Sequence, residues 1–195
     1  MKLACRCGQV QGEIDPARSY ARATCYCRDC RAFARWLGGA GLLDAAGGSD
    51  ILAMAPDGLR LTRGADQLAC MSLGPRGLLR WYARCCRTPM GNLPRNPKLF
   101  YLGVPVAALA APAADVDQTY GPPGRIRINP ESATGNVLPT RMASLRGTLR
   151  IVRKLLAARL AGRSRSVFFD AESGTPVRSP EVLTLEQRRE LAGRD

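Results

Sequence analysis

Histidine is absent from all 195 residues. Imidazole is therefore excluded both as a metal ligand and as the usual proton carrier of an active site. Long apolar runs are missing too: nothing reaches the roughly 18 residues that a membrane-spanning helix needs. The opening MKLACRCG lacks the apolar stretch of a secretory signal, so the chain is expected to be cytoplasmic, where thiols stay reduced. Aromatic residues make up only 6% of the chain. None is interleaved with the basic residues of 140–165, so that segment carries no nucleic-acid signature beyond its charge. At this length the chain can bury a sizeable core without disulfides.

Cysteine and positive charge are plentiful. Seven of the eight cysteines fall into three clusters: Cys5 and Cys7 in CRCG, Cys25, Cys27 and Cys30 in CYCRDC, and Cys85 and Cys86 in RCCR. Thiolate is the soft ligand that zinc prefers; a closed structural site takes four, and a catalytic site takes three with one position open. Seven ligands divide into four plus three. Cys25, Cys27 and Cys30 are close enough in sequence to hold one ion alone. The distant pairs Cys5/Cys7 and Cys85/Cys86 would close a four-thiolate site that ties the start of the chain to residue 86. Cys70 stands alone in an apolar run and reads as a small buried hydrophobe.

The first hundred residues read as short strands and turns. VQGEI alternates as a half-buried strand does, ILAMAPDGLRLTRG reads as strand, turn and strand, and the apolar runs around GPRG predict a hairpin. RAFARWLGG predicts about one helical turn, and KLFYLGVPVAAL a last strand. Residues 111–139, with GPPG and INPES, are expected to be mostly irregular.

Taken together, CRCGQV, CYCRDCR and CCRTPMGN resemble the glutathione-dependent formaldehyde-activating enzyme family, which includes centromere protein V, over about residues 3–106. The resemblance implies a mainly β fold, a zinc-binding β-tent of antiparallel sheets over residues 1–110; a Pro/Gly-rich segment over 111–139 and an α-helical extension over 140–195, read from composition and periodicity, follow it. The resemblance also implies a structural zinc on Cys5, Cys7 and Cys86, and a catalytic zinc on Cys25, Cys27 and Cys30. The activity implied is that of a carbon–sulfur lyase acting on a thiol adduct such as S-hydroxymethylglutathione, with Arg28 and Arg31 placed to hold substrate carboxylates. Ala83 stands where the family has a cysteine, so Cys85 is expected as the fourth structural ligand. Adjacent strand residues point to opposite faces, so a bulge at Cys85 and Cys86 is expected. Arg87 replaces a glycine of the pattern and Tyr26 a histidine. Tyr26 and Asp29 are the local candidates for proton transfer. The competing expectation is a non-catalytic module in which zinc builds the fold and the basic helix meets a partner.

Residues 140–195 carry 12 basic and 6 acidic groups. Leu145, Leu149, Val152, Leu156 and Leu160 recur at helical spacing over 140–165, with Gly162 as the stop. This stripe is expected to pack on the chain's own body; an anionic membrane surface or a protein partner is the alternative for a basic amphipathic helix. SVFFDAESGTPV suggests a small hairpin, and Thr184 with Gln187 forms a capping box that opens a last helix over 185–192.

Overall fold

The computed structural model describes residues 1–39, 41–162 and 165–192. The chain is mainly β, with a helical C-terminal part. Its strands are β1 (Lys2–Ala4), β2 (Gln11–Ile14), β3 (Ser19–Cys25), β4 (Ser49–Met54), β5 (Leu59–Arg63), β6 (Leu68–Ser72), β7 (Leu79–Ala83), β8 (Thr88–Leu93), β9 (Leu102–Pro105), β10 (Arg127–Ile128) and β11 (Glu181–Val182). The helices are α1 (Arg28–Trp36), α2 (Ala113–Tyr120), α3 (Arg141–Leu160) and α4 (Leu185–Ala192).

Among the described residues, β1, β2 and β5 form a three-stranded sheet, and the rest form an eight-stranded sheet ordered β10-β3-β4-β9-β8-β7-β6-β11. The two short edge strands, β10 and β11, run parallel to their neighbours; the interior pairs are antiparallel. The GPRG hairpin forms as expected, with Cys70 opposite Trp81. Strand, turn and strand over 51–63 also form, but β5 pairs with β2 and not with β4. Pro56 and Gly58 thus pass the chain from one sheet to the other.

The main core lies between the sheets. Val10, Ile14 and Leu59 from the small sheet meet Leu52, Met54, Leu79, Trp81, Leu102 and Val104 from the large one. Phe168 closes this core from the C-terminal part, its ring 5.0 Å from that of Trp81. On the opposite face of the large sheet, α1 packs Ala32, Phe33 and Leu37 with Met71, Leu73 and Leu183.

Two helices depart from expectation. The helix at Cys30 runs nine residues, Arg28–Trp36, and continues for six residues beyond Cys30, more than one turn. Residues 113–120 form α2 within the stretch expected to be irregular. Its signals were Pro112 at the start and Gly121 at the end, the asymmetry that marks helix termini. Arg22 fixes α2 to β3: its buried guanidinium donates to Asp50 at 2.7 Å, Asp117 at 2.6 Å and the Gly121 carbonyl at 2.7 Å. The small hairpin over 166–177 reduces to a single bridge, Phe169 to Pro176. The last helix begins as expected, with the Thr184 N–H donating to Gln187 Oε1 at 2.9 Å and the Gln187 N–H to Thr184 Oγ1 at 3.2 Å.

The leucine stripe of α3 is overturned as a packing face. Leu145, Leu149, Val152, Leu156 and Leu160 are all exposed. The buried residues of the helix are Gly147 and Ala158, with Ile151 and Leu155 packed on Tyr20, Ala53 and Ala55. Small residues decide this: a Cβ on Gly147 would lie 2.5 Å from Ile126, so glycine lets α3 come down close to the body. The helix therefore has two apolar sides, and the one with small residues faces inward. Arg163 and Ser164, at the end of the expected helical span, lie outside the described residues. Leu149→Lys is expected to change unfolding free energy by less than about 0.5 kcal/mol, as an exposed position should. Leu155→Ala is expected to cost at least about 1 kcal/mol through lost burial. Urea denaturation of both variants checks the orientation.

Candidate metal centre

The first cluster is built by two turns. After β1 the chain reverses through Cys5–Gly8, with the Gly8 N–H donating to the Cys5 carbonyl at 2.9 Å. The β7–β8 connection brings up Cys85 and Cys86. The expected strand bulge at these two residues does not form. They sit in a four-residue turn closed by the Arg87 N–H on the Ala83 carbonyl at 2.8 Å, and a turn lets adjacent side chains converge. Arg87 completes it with φ of 57°, the left-handed region that explains the glycine of the related pattern. Its guanidinium lies 4.7 Å from the centre of the Trp36 ring, joining this turn to α1.

The sulfur geometry fits a metal. Cys5 Sγ lies 3.6 Å from Cys7 Sγ and 3.8 Å from Cys85 Sγ; Cys7 and Cys85 are 3.2 Å apart, and Cys85 and Cys86 3.8 Å. Zinc–sulfur bonds of about 2.3 Å in a tetrahedron put sulfurs about 3.8 Å apart, whereas a disulfide needs about 2.05 Å. All four sulfurs lie within 4.8 Å of one another. Hydrogen-bond donors reach two of these sulfurs. The Val10 N–H points at Cys5 Sγ from 3.2 Å. Thr88 Oγ1 accepts from the Arg6 N–H at 3.0 Å, which leaves its own proton for Cys86 Sγ at 3.1 Å. Burial acts to raise the Cys86 pKa, but hydrogen bonds from Thr88 and from backbone N–H groups outweigh it and bring the thiol to about 6.

The second cluster sits where β3 gives way to α1. Cys25 ends the strand, Cys27 is the helix N-cap, and Cys30 lies in the first turn, its N–H directed at Cys27 Sγ from 3.4 Å. The three sulfurs are also within 4.8 Å of one another. Hydrogen bonds from Cys25 and Cys30 hold the Cys27 pKa well below that of a free thiol, and the same contacts push Cys25 up. Cys27 and Cys30 thus sit at the positive end of a helix, where a thiolate is favoured. Either cluster could hold a metal ion.

A cavity of about 350 Å³ opens beside Cys30. Its walls come from α1 and its C-cap (Phe33, Ala34, Leu37), from the loop before β4 (Asp44, Gly48) and from the large sheet (Ser49, Arg80, Asn92, Pro105). Arg80 is buried, and its Nη1 donates to Asn92 Oδ1 at 3.3 Å beneath the Phe33 ring, 5.2 Å from the ring centre. Among the described residues no carboxylate pairs with it. Asp50 is taken by Arg22, and Asp44 holds its own loop through the N–H groups of Ala46 and Gly48.

Residues 1–179, which contain both clusters and the cavity, match the family of unknown function DUF6151. The chain belongs to that family. No curated protein matches it. A crystal structure of a Rhodobacter sphaeroides protein is 28% identical, covering 60% of this chain and 94% of that one, with a TM-score of 0.43.

Not every residue singled out in the sequence of this DUF6151 protein reaches the cavity. Arg31 is buried and donates to the carbonyls of Tyr26 and Ser132, so it ties α1 to the 130–132 turn. Arg28 is exposed, and neither arginine lines the cavity. The cation there is Arg80. Asp29 pairs with Arg188 of α4 at 3.1 Å. Tyr26 is buried and donates to Asp44 Oδ2 at 3.1 Å. The sequence offered one signal for Arg80, a lone charge between Leu79 and Trp81 in an apolar strand. Asn92 gave a similar one within the fully buried β8.

Proposed function

We propose that the protein binds two zinc ions, with a structural one on Cys5, Cys7, Cys85 and Cys86 and a reactive one on Cys25, Cys27 and Cys30. The second site would act on a thiol adduct of the glutathione–formaldehyde type, as a carbon–sulfur lyase. One observation carries this reading. The three-cysteine cluster is one ligand short of a closed set among the described residues, and it opens through Cys30 onto a cavity holding a cation without a carboxylate partner.

Zinc there would supply Lewis acidity toward a substrate sulfur or oxygen. The chain's own residues do the rest. Arg80, backed by Asn92, would hold a carboxylate of the thiol carrier. Phe33 and Leu37 keep that wall apolar and limit water. Asp44, which accepts from the buried Tyr26 hydroxyl, lines the other wall and would take up the proton there. In the reaction the carbon–sulfur bond of R–S–CH2OH breaks, the hydroxyl proton is lost as the carbonyl forms, and a proton returns to sulfur. The products are R–SH and formaldehyde, and the reverse is adduct formation.

Two measurements test this. Metal analysis of protein purified without chelator is expected to give two zinc ions per chain, and one for Cys27→Ser. Exchange NMR of glutathione with formaldehyde is expected to show interconversion at least about tenfold faster with the wild type than with Cys27→Ser. Equal rates for the two proteins, or no metal in the wild type, overturn the reading.

A further inference from the structure

The outer side of α3 carries a row of exposed apolar side chains that the fold leaves unexplained. Seen down the helix at about 100° per residue, Gly147, Ile151 and Ala158 point to the body. Met142, Leu145, Leu149, Val152, Leu156 and Leu160 form a stripe on the diametrically opposite side. None is less than 45% exposed, and Leu160 reaches 89%. Leu138, three residues before the helix, is also 70% exposed. Isolated exposed leucines need no explanation, but six large apolar side chains in one row over five turns do.

The charges beside the stripe identify what would cover it. By the same angular count Arg146, Arg150 and Arg153 border it on one side, and Arg141 and Arg159 on the other. From residue 132 to residue 169 the chain has eight basic groups and no acidic one. A second copy of the helix laid on this stripe would bring arginine against arginine, with no carboxylate to offset them. The helix is also not a span, since no helix among the described residues is long and apolar enough to cross a membrane.

We infer that α3 is a membrane-surface docking helix, which lays its apolar stripe into the headgroup boundary of an anionic bilayer while its arginines meet lipid phosphates. Helices with an apolar face flanked by cations bind in this orientation, through apolar burial and attraction to anionic lipid together. The long arginine side chains reach outward from both borders. The body of the protein then rests on the membrane with α3 as the contacting element.

Sedimentation of the full chain with vesicles is the test. Binding is expected to vesicles of phosphatidylcholine mixed with phosphatidylserine, at least about tenfold weaker to phosphatidylcholine alone, and weaker again as salt is raised. The triple variant Leu145→Ser/Leu149→Ser/Leu156→Ser is expected to lose at least about tenfold in binding with circular dichroism and metal content unchanged, because those side chains touch no core. Arg146→Glu/Arg150→Glu is a second variant that tests the charge alone, and it should reduce binding to the mixed vesicles specifically. No binding to either vesicle, or binding that the triple variant retains, overturns the proposal. So does a dimer seen by light scattering that the triple variant dissolves, since the stripe would then belong to a second copy.

Discussion

Cys7→Ser is expected to leave a chain that does not fold, and Cys27→Ser one that does. The difference follows from what each cluster joins. Cys5 and Cys7 meet Cys85 and Cys86 across some 80 residues, so a metal held there would close the small sheet onto the β7–β8 hairpin. Apparent zinc-binding free energies of about 10–16 kcal/mol match or exceed the roughly 5–15 kcal/mol that a whole domain has to spare. Losing one of four thiolates should therefore shift the folding equilibrium outright. Cys25, Cys27 and Cys30 are local, and β3 and α1 have other anchors: Arg31 on two carbonyls, and Phe33 in the second core. A chelator titration followed by circular dichroism and metal release should show the 25–30 site emptying with the sheets intact, and the other emptying as they are lost. Simultaneous loss would contradict the assignment, as would a well-folded Cys7→Ser protein.

Phe168→Ala is expected to destabilise by about 3–5 kcal/mol, the cost of removing a buried aromatic side chain and leaving its cavity. Phe168 is 1% exposed, leans on Trp81 at 36° between ring planes, and lies where a side chain on Gly91 would collide with it at 3.1 Å. The loss should appear in urea as a lower midpoint with an unchanged slope. A change below about 1 kcal/mol would mean that residues 166–170 close nothing. The basic C-terminal part would then be an appendage, and the match of the β core to Phe168 incidental.

What the sequence made legible follows physical locality. Cysteine clustering is a property of spacing, and the structure brings together the two groups that the spacing suggested. Alternation gave β2, and the glycines of GPRG gave the β6–β7 hairpin. The cavity was not legible, because Arg80, Asn92 and Cys30 meet only through the register of β7 on β8 and the placement of α1. The α3 stripe shows a different limit. Periodicity finds apolar rows but does not say which row faces inward; here Gly147 and Ala158 outweighed five larger residues because close approach requires small ones. At Cys85 and Cys86 the strand rule was sound and the assignment to a strand was not, since the two residues belong to the turn.

The span of the four-thiolate cluster also sets a clock on synthesis. Cys5 and Cys7 leave the ribosome some 80 residues before Cys85. At about 5–20 residues per second they wait roughly 4–16 s for their partners. Phe168, which seals the space between the sheets, follows only after a comparable further delay. The six-residue Cys25–Cys30 group is complete almost as soon as it emerges. A nascent chain therefore offers the local thiols to any available metal first, and the long-range cluster is completed late. Thiol-capping reagents applied during translation would strike Cys5 and Cys7 in that interval, whereas the finished protein has already gathered them.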